Sequence, residues 1–369
     1  MGGRRYSAAF IISKRSYSPP TNIRAWSAHN YILSECISMT ESSPRHTPKN
    51  RGGAYPPPTA AVPHNPEVIP YNLVVLLGPT ASGKTRLAVD AATKLGGEII
   101  SADSRQVYRG MDIGTGKDLE EYGTIPYHLI DIVEPGYEFN VFEFQQRFYA
   151  AFEEIQARTR MPLLCGGTGL YLEAVLSGYL MVEAPLNPVL RARLEPLTHS
   201  ELQEELLRLK PEQHNSTDLE ERERLIRAIE IARAQKHAPP TPALPELRPL
   251  VFGLQWARPR LRQRIGERLH QRLQQGMVEE VERLQQQGTS WETLEFYGLE
   301  YRFIAQYLQG VLSYSDMVQQ LERAIGKFAK RQETWFRRME KRGTTIHWLD
   351  PEDAPLAQLL HICGRTSAV

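Results

Sequence analysis

The sequence predicts an α/β fold: a mostly parallel sheet with helices on both faces, one helical insertion and a helical C-terminal region. Three observations predict it. Short apolar runs alternate with helix-period segments from Tyr71 onward, the pattern of strands joined by crossover helices. The run Gly78-Pro79-Thr80-Ala81-Ser82-Gly83-Lys84-Thr85 sits between the first apolar run and the first helical stretch, which is the order of a phosphate-binding P-loop. Residues 187–237 then break the alternation with amphipathic helical segments and no strand between them.

Taken in order, the strand-like runs are 73–77, 98–102, 127–132, 162–165 and 250–255, with a short sixth at 345–349. Helical patterns cover 86–94 and 139–158. The insertion reads as helices over 189–196, 199–209 and 218–236, closed by the proline-rich stretch 238–249. Helices follow at 259–287, 300–309 and 314–341. These elements divide the chain into a P-loop NTPase-like core (69–186 and 246–350), an insertion (187–245) and a tail (351–369). Residues 1–68 are rich in Ser, Pro and Arg with little periodicity and read as a disordered leader. Residues 1–38 hold a single acid, Glu35, and have the composition of a transit peptide; the alternative is that Met39 is the true start.

Composition narrows the function. Net charge is +1, but residues 1–68 carry +5 and leave −4 for the rest, so a polyanion site must come from local basic clusters. Cys36, Cys165 and Cys363 lack the paired spacing of a disulfide framework or zinc finger. No apolar run approaches the roughly 18–20 residues that span a bilayer, so no membrane partner is expected.

Three polar motifs follow strand-like runs, where ligands bind in open α/β sheets. In the P-loop, glycines let successive N–H groups turn toward an anion, Lys84 reaches outer phosphates and the Thr85 hydroxyl suits Mg²⁺. This pattern specifies a polyphosphate or diphosphate without saying which. Asp103, ahead of Ser104, Arg105 and Gln106, has three readings: a metal ligand, a proton acceptor or a helix cap. The loop from Gly166 to Tyr171 supplies bare backbone and the Thr168 hydroxyl. Arg264 and Arg268, at i and i+4, suit either a leaving diphosphate or ion pairing with Glu267. The run Lys327, Lys330, Arg331, Arg337, Arg338, Lys341 and Arg342, with Phe328, Trp335 and Phe336 between, suits nucleic acid. From the run alone, an ordinary solvated amphipathic helix with core aromatics is the better reading.

Taken together, the motifs resemble the tRNA dimethylallyltransferase family. The resemblance lies in Gly78–Thr85, in Ser101-Ala-Asp-Ser-Arg-Gln-Val-Tyr-Arg-Gly-Met-Asp-Ile-Gly-Thr-Gly-Lys117 and in Gly166-Gly-Thr-Gly-Leu-Tyr-Leu172. It extends to Arg224-Leu-Ile-Arg-Ala-Ile-Glu230 and Ala329-Lys-Arg-Gln-Glu-Thr-Trp335, and covers about residues 71–350. It implies transfer of a dimethylallyl group from dimethylallyl diphosphate to the exocyclic amine of the adenine 3′ of the tRNA anticodon, with Mg²⁺. By motif match, Asp103 is the general base and Thr168 touches the target base or the leaving group. Lys84, Arg264 and Arg268 stabilise the departing diphosphate, which the P-loop residues Gly78–Thr85 hold. Asp103, Ser104, Arg105, Gln106, Thr168, Arg191, Glu223, Arg224, Leu225, Ile226, Arg227, Lys330, Arg331, Gln332, Trp335 and Arg337 match positions that touch tRNA, and the insertion clamps the anticodon stem-loop. A monomer of bacterial, cytoplasmic type is expected, or an organellar one if the leader is a transit peptide. Two segments depart from the family pattern: Tyr297-Gly-Leu-Glu-Tyr-Arg302 and Ala324-Ile-Gly-Lys-Phe-Ala329. Rival readings are an adenylate isopentenyltransferase, a P-loop kinase of small molecules and an RNA-binding module without catalysis. The insertion and the basic helix argue against the first, since a free nucleotide needs neither; the second predicts ATP turnover and a lid with catalytic arginines; the third leaves the P-loop and Asp103 unexplained.

Overall fold

The computed structural model describes residues 70–179, 181–210, 221–238 and 243–364. The leader assigned to 1–68 and parts of the insertion and tail therefore lie outside the described residues. Six strands form one all-parallel sheet: β1 (Leu73–Leu77), β2 (Gly97–Ala102), β3 (Tyr127–His128), β4 (Met161–Gly166), β5 (Pro249–Leu254) and β6 (His347–Leu349). Their order is β3-β2-β4-β1-β5-β6, which sets the carboxyl ends of β2, β4 and β1 side by side. β1 is buried at all five positions. Leu73, Val75 and Leu77 face one core and Val74 and Leu76 the other, as expected of a central strand covered on both faces.

One face is covered by α1 (Lys84–Leu95) and the other by α2 (Val141–Ala157) and α3 (Gly169–Leu176). The described part of the insertion holds α4 (Pro188–Leu194), α5 (His199–Leu209) and α6 (Arg222–His237). α5 opens on a reciprocal capping box between Thr198 and Glu201. The C-terminal region holds α7 (Arg258–Gln274), α8 (Met277–Gln286), α9 (Trp291–Phe296), α10 (Leu299–Leu308), the 28-residue α11 (Tyr314–Lys341) and α12 (Pro355–Ile362). Among the described residues no helix is long and apolar enough to cross a membrane.

Three elements differ from the sequence expectation. The strand expected over 127–132 stops at His128, because Leu129 and Asp131 take left-handed conformations at φ 63° and 55°. Leu129, Ile130 and Val133 are nevertheless buried, so the apolar run marks a packed turn. The single helix expected over 259–287 is two, separated at Gly276, whose φ of 97° suits glycine. The tail contains α12, whose Leu359, Leu360 and Cys363 pack into the α1-side core, while the Tyr71 hydroxyl donates to the Cys363 carbonyl at 3.1 Å.

The segment Met111–Lys117 is pinned from two sides. Glu280 of α8, 1% exposed, accepts the N–H groups of Asp112, Ile113 and Gly114 at 2.8–3.0 Å and the Tyr301 hydroxyl at 2.7 Å. The fully buried Lys117 donates to the Tyr108 carbonyl at 2.7 Å and pairs with Asp112 and Asp131. Tyr301 lies in the departure segment 297–302, whose Tyr297 is also buried and packs 4.6 Å from the Tyr108 ring centroid. Glu280→Ala leaves three backbone donors unsatisfied and is expected to destabilise the fold by about 3–5 kcal/mol. A shift of the urea midpoint measures this.

Candidate active site

The sharp exit from β1 depends on two left-handed residues, Ala81 at φ 61° and Gly83 at φ 84°, the latter capping α1. The first N–H groups of α1 then have no intrahelical partner and lie at the positive end of its dipole. The Lys84 ammonium folds back to the Pro79 carbonyl at 3.5 Å. Burial pushes its pKa below the ordinary value; Cys165 and Asp103 pull it up, and Arg268 and Arg272 push it further down. Trp256 donates its indole N–H to the Ser82 carbonyl at 2.9 Å. Arg264 donates to the Ala81 carbonyl at 2.9 Å and stacks 4.5 Å from the Trp256 ring centroid, so it braces the flank of the loop.

Asp103 leaves the end of β2, and its Oδ1 accepts the Arg105 N–H at 2.9 Å. Its other carboxylate oxygen has no hydrogen-bond partner among the described residues. Thr168 caps α3 at the end of β4. Its N–H donates to the Ala102 carbonyl at 3.2 Å, and its hydroxyl accepts the Ser104 N–H at 3.1 Å. That hydroxyl retains its own proton to donate. Two bonds thus tie the Asp103 and Thr168 loops edge to edge, with the P-loop on the next strand of the sheet.

The third wall comes from α7. Arg268 and Arg272 converge on Asp118, the latter at 3.4 Å. Burial would raise the Asp118 pKa, but the two guanidiniums outweigh it and hold the carboxyl below the usual range. Arg272 is itself buried, which lowers its pKa to about 10. Glu267 bonds to Gln263 at 2.8 Å, so it is not the partner of these arginines. Lys84, Arg264, Arg268 and Arg272 gather around Asp103 and Asp118, with Glu121 and Glu300 also in the field of the α7 arginines; burial raises the pKa of both glutamates, so the cluster suits a polyanion. Arg272 and Asp118 were not anticipated from the sequence, although Arg264, Arg268 and Arg272 recur at i, i+4 and i+8 on one helix face. Glu300, missed as well, has its pKa raised by burial and lies in the field of Arg272, Arg268 and Asp103.

Comparison with known proteins assigns this arrangement to a family. Residues 106–339 match the model of the IPP transferases, and residues 71–124 match that of the isopentenyl transferases. The chain is 62% identical over 296 residues to tRNA dimethylallyltransferase 1 of Geotalea daltonii, covering 80% of this chain and 96% of that protein. The chain belongs to the tRNA dimethylallyltransferase family. Tight similarity extends to tRNA dimethylallyltransferase 2 of Syntrophotalea carbinolica, 61% identical over 79% of this chain and 98% of that protein. The crystal structure of the tRNA isopentenylpyrophosphate transferase from Bacillus halodurans matches with a TM-score of 0.59 at 33% identity, over 80% of this chain and 96% of that one. A eukaryotic dimethylallyltransferase acting on tRNA shares the fold, with a TM-score of 0.63 at 22% identity over 80% of this chain and 81% of that one.

The residues expected from the family resemblance to touch tRNA fall into two groups. Ser104, Arg105, Glu223 and Trp335 are partly accessible, and Lys330, Arg331 and Arg337 are exposed along α11. Arg105 lies 5.0 Å from the Phe296 ring centroid. Trp335 packs over Gly169, where a Cβ would meet its ring at 2.4 Å, and the Arg338 guanidinium stacks 4.0 Å from the same ring's centroid. Of the three aromatics in that run, Phe336 is core and Phe328 is exposed. Arg338 and Arg342 are drawn to the buried Glu173 at 3.1 and 2.7 Å, which anchors α11 to α3.

The second group points inward. Gln106 is buried between the Ser101 hydroxyl and the Gly116 carbonyl, at 2.9 and 3.0 Å. Leu225 and Ile226 are core residues, at 0% and 1% exposure. Arg227 is buried against Glu230 and the Ala184 carbonyl, and Arg191 shares Glu230 at 2.8 Å. Arg224 pairs with Glu221 at 3.1 Å. Gln332 is buried as well, on the inward stripe Ile325, Ala329, Gln332, Phe336 and Met339. In the free protein the side chains of Gln106, Leu225, Ile226, Arg227 and Gln332 are buried against protein partners rather than presented on the surface.

Proposed function

We propose that this chain transfers the dimethylallyl group of dimethylallyl diphosphate to the exocyclic amine of the adenine 3′ of a tRNA anticodon, giving the prenylated tRNA and diphosphate. The observation that carries the reading is the alignment on adjacent strand ends of three groups: the P-loop with Lys84, the Asp103 carboxylate and the Thr168 hydroxyl. The reaction needs a diphosphate holder, a proton acceptor and an orienting donor within one site, and these residues supply them.

In the proposed mechanism, the loop N–H groups of Gly78–Thr85 hold the diphosphate. The amine nitrogen attacks the first carbon of the dimethylallyl group. The carbon–oxygen bond breaks, its electron pair leaves on the diphosphate and the amine proton passes to Asp103. An aromatic amine is a weak nucleophile, so orientation by Thr168 and proton removal by Asp103 both lower the barrier. Lys84 and Arg268 meet the charge that develops on the diphosphate, Arg272 supports Arg268 through Asp118, and Arg264 keeps the loop in shape beside them.

Among the described residues no group of three or more His, Cys, Asp or Glu suits a metal. The Thr85 hydroxyl at the start of α1, completed by phosphate oxygens and water, is the sparse donor set that suits Mg²⁺. Mg²⁺ would neutralise charge on the departing diphosphate. The target adenine leaves its stack to reach the site, as single-stranded loop bases do readily. The insertion, with Arg191, Glu223 and Arg224, and the α11 cations Lys330, Arg331 and Arg337 beside Trp335, receive the anticodon stem-loop. The enzyme acts as a cytoplasmic monomer.

Incubation with Mg²⁺, radiolabelled dimethylallyl diphosphate and either unmodified tRNA or AMP tests the reading. Label is expected on tRNA alone. Label on AMP and none on tRNA would instead make the chain an adenylate isopentenyltransferase.

A further inference from the structure

Gln332 belongs to the basic helix α11, yet its side chain is only 7% exposed and lies under the two phosphate-side loops. Its carbonyl oxygen accepts the Thr80 N–H of the P-loop at 2.8 Å, and its amide nitrogen donates to the Gly167 carbonyl at 2.9 Å. The partners fix the amide orientation, since a backbone donor demands the oxygen and a backbone carbonyl demands the NH₂. The fit is tight: a Cβ on Gly167 would come within 2.5 Å of that nitrogen and 3.2 Å of the Gly78 carbonyl. The two loops therefore touch at Gly78 and Gly167, and one amide spans the contact.

We propose that Gln332 is a positioning residue that sets the spacing between the P-loop and the Gly166–Gly169 loop, and thereby the shape of the diphosphate cradle. It acts through Thr80 and Gly167 and touches neither substrate. Of the natural side chains, the primary amides of Asn and Gln alone offer a carbonyl acceptor and an NH₂ donor on one carbon, and Asn is a methylene too short to span this gap. A carboxylate would lack the donor and set its charge against the Gly167 carbonyl. This assignment separates Gln332 from its exposed neighbours Lys330 and Arg331, which lie on the outer face of the same helix.

The inference rests on the P-loop being the diphosphate holder, and binding of inorganic pyrophosphate with Mg²⁺, without tRNA, tests the two separately. Failure of the unaltered protein to bind pyrophosphate overturns the holder reading. If it binds, Gln332→Met, which keeps size and loses both bonds, is expected to weaken pyrophosphate binding about tenfold. Its affinity for tRNA is expected to stay within about twofold. Unchanged pyrophosphate binding in Gln332→Met, or a loss confined to tRNA, would overturn the inference. A double-mutant cycle guards against general unfolding. Gly167→Ala is expected to weaken pyrophosphate binding in the presence of Gln332 and to do so less in the Gln332→Ala background, where the 2.5 Å clash with the amide is gone and only the 3.2 Å approach to the Gly78 carbonyl remains. Additive losses would count against the latch.

Discussion

Asp103→Asn is expected to lower the rate of dimethylallyl transfer about a thousandfold, within the range that a positioned general base supplies. The substitution is chosen because Asn retains an oxygen to accept the Arg105 N–H, a bond that at 2.9 Å holds the loop after β2. The geometry around Thr168 should then survive, since the Ser104 N–H bond to its hydroxyl depends on the same turn. What disappears is the ability to take a proton. The charge change has a second, opposite consequence. Asp103 lies close enough to Lys84 to raise its pKa, so its charge also bears on a diphosphate held by that lysine. Removing a negative charge from the cradle is expected to leave pyrophosphate binding intact or tighter. Single-turnover transfer to tRNA and a pyrophosphate titration separate the two. Undiminished transfer would remove Asp103 from the role of base.

The parts of the site that were legible in the sequence are those whose signals are local. The P-loop, Asp103 and Thr168 each follow a strand within a few residues, and a parallel sheet brings such ends together whatever the rest of the chain does. The helix over 314–341 was legible because its apolar period persists for eight turns. Side-chain assignments along it were less secure. Gln332 sits between cations in sequence, but Ile325, Ala329, Phe336 and Met339 lie four, seven and three residues apart, and position 332 fills the gap of seven on that inward stripe. Leu225, Ile226 and Arg227 are buried for another reason: α6 is buried without a break from Leu225 to Ala232, so no periodicity marks an inward face there. Asp118 and Arg272 were not legible as a pair, because their contact joins positions 154 residues apart. The turn at 129–133 was misread for a different reason: burial draws apolar residues into a loop as readily as into a strand, and Lys117 binding Asp131 favours the turn.

These placements change what the P-loop means. A P-loop beside a catalytic carboxylate ordinarily suggests movement of phosphorus. Here Arg268 and Arg272 of α7 lie in the field of Lys84, and in the proposed reaction they and the P-loop hold the leaving diphosphate while the loops of Asp103 and Thr168 receive the nucleophile. A group that holds the leaving anion contributes in proportion to the charge that develops on it. Lys84, the one cation carried by the loop itself, is therefore the residue whose charge the proposed reaction depends on for both binding and turnover.

Lys84→Met is expected to reduce transfer by about a thousandfold and, unlike the Asp103 substitution, to weaken pyrophosphate binding as well. The pH dependence gives a sharper test than the loss itself. In the free protein, burial, Arg268 and Arg272 depress the Lys84 pKa, against the opposing pull of Cys165 and Asp103. A bound polyanion favours the ammonium and raises that pKa. Affinity for pyrophosphate is then fully present below the depressed value of the free protein. It falls as pH rises through that value and levels off above the higher pKa of the complex. With methionine at position 84 this component is absent, while Arg264, Arg268 and Arg272 still supply the remaining attraction. Titration calorimetry across the alkaline range should accordingly show proton uptake on binding to the unaltered protein and a flatter profile for Lys84→Met. Equal affinity and equal proton uptake in the two proteins would mean that the lysine does not meet the diphosphate.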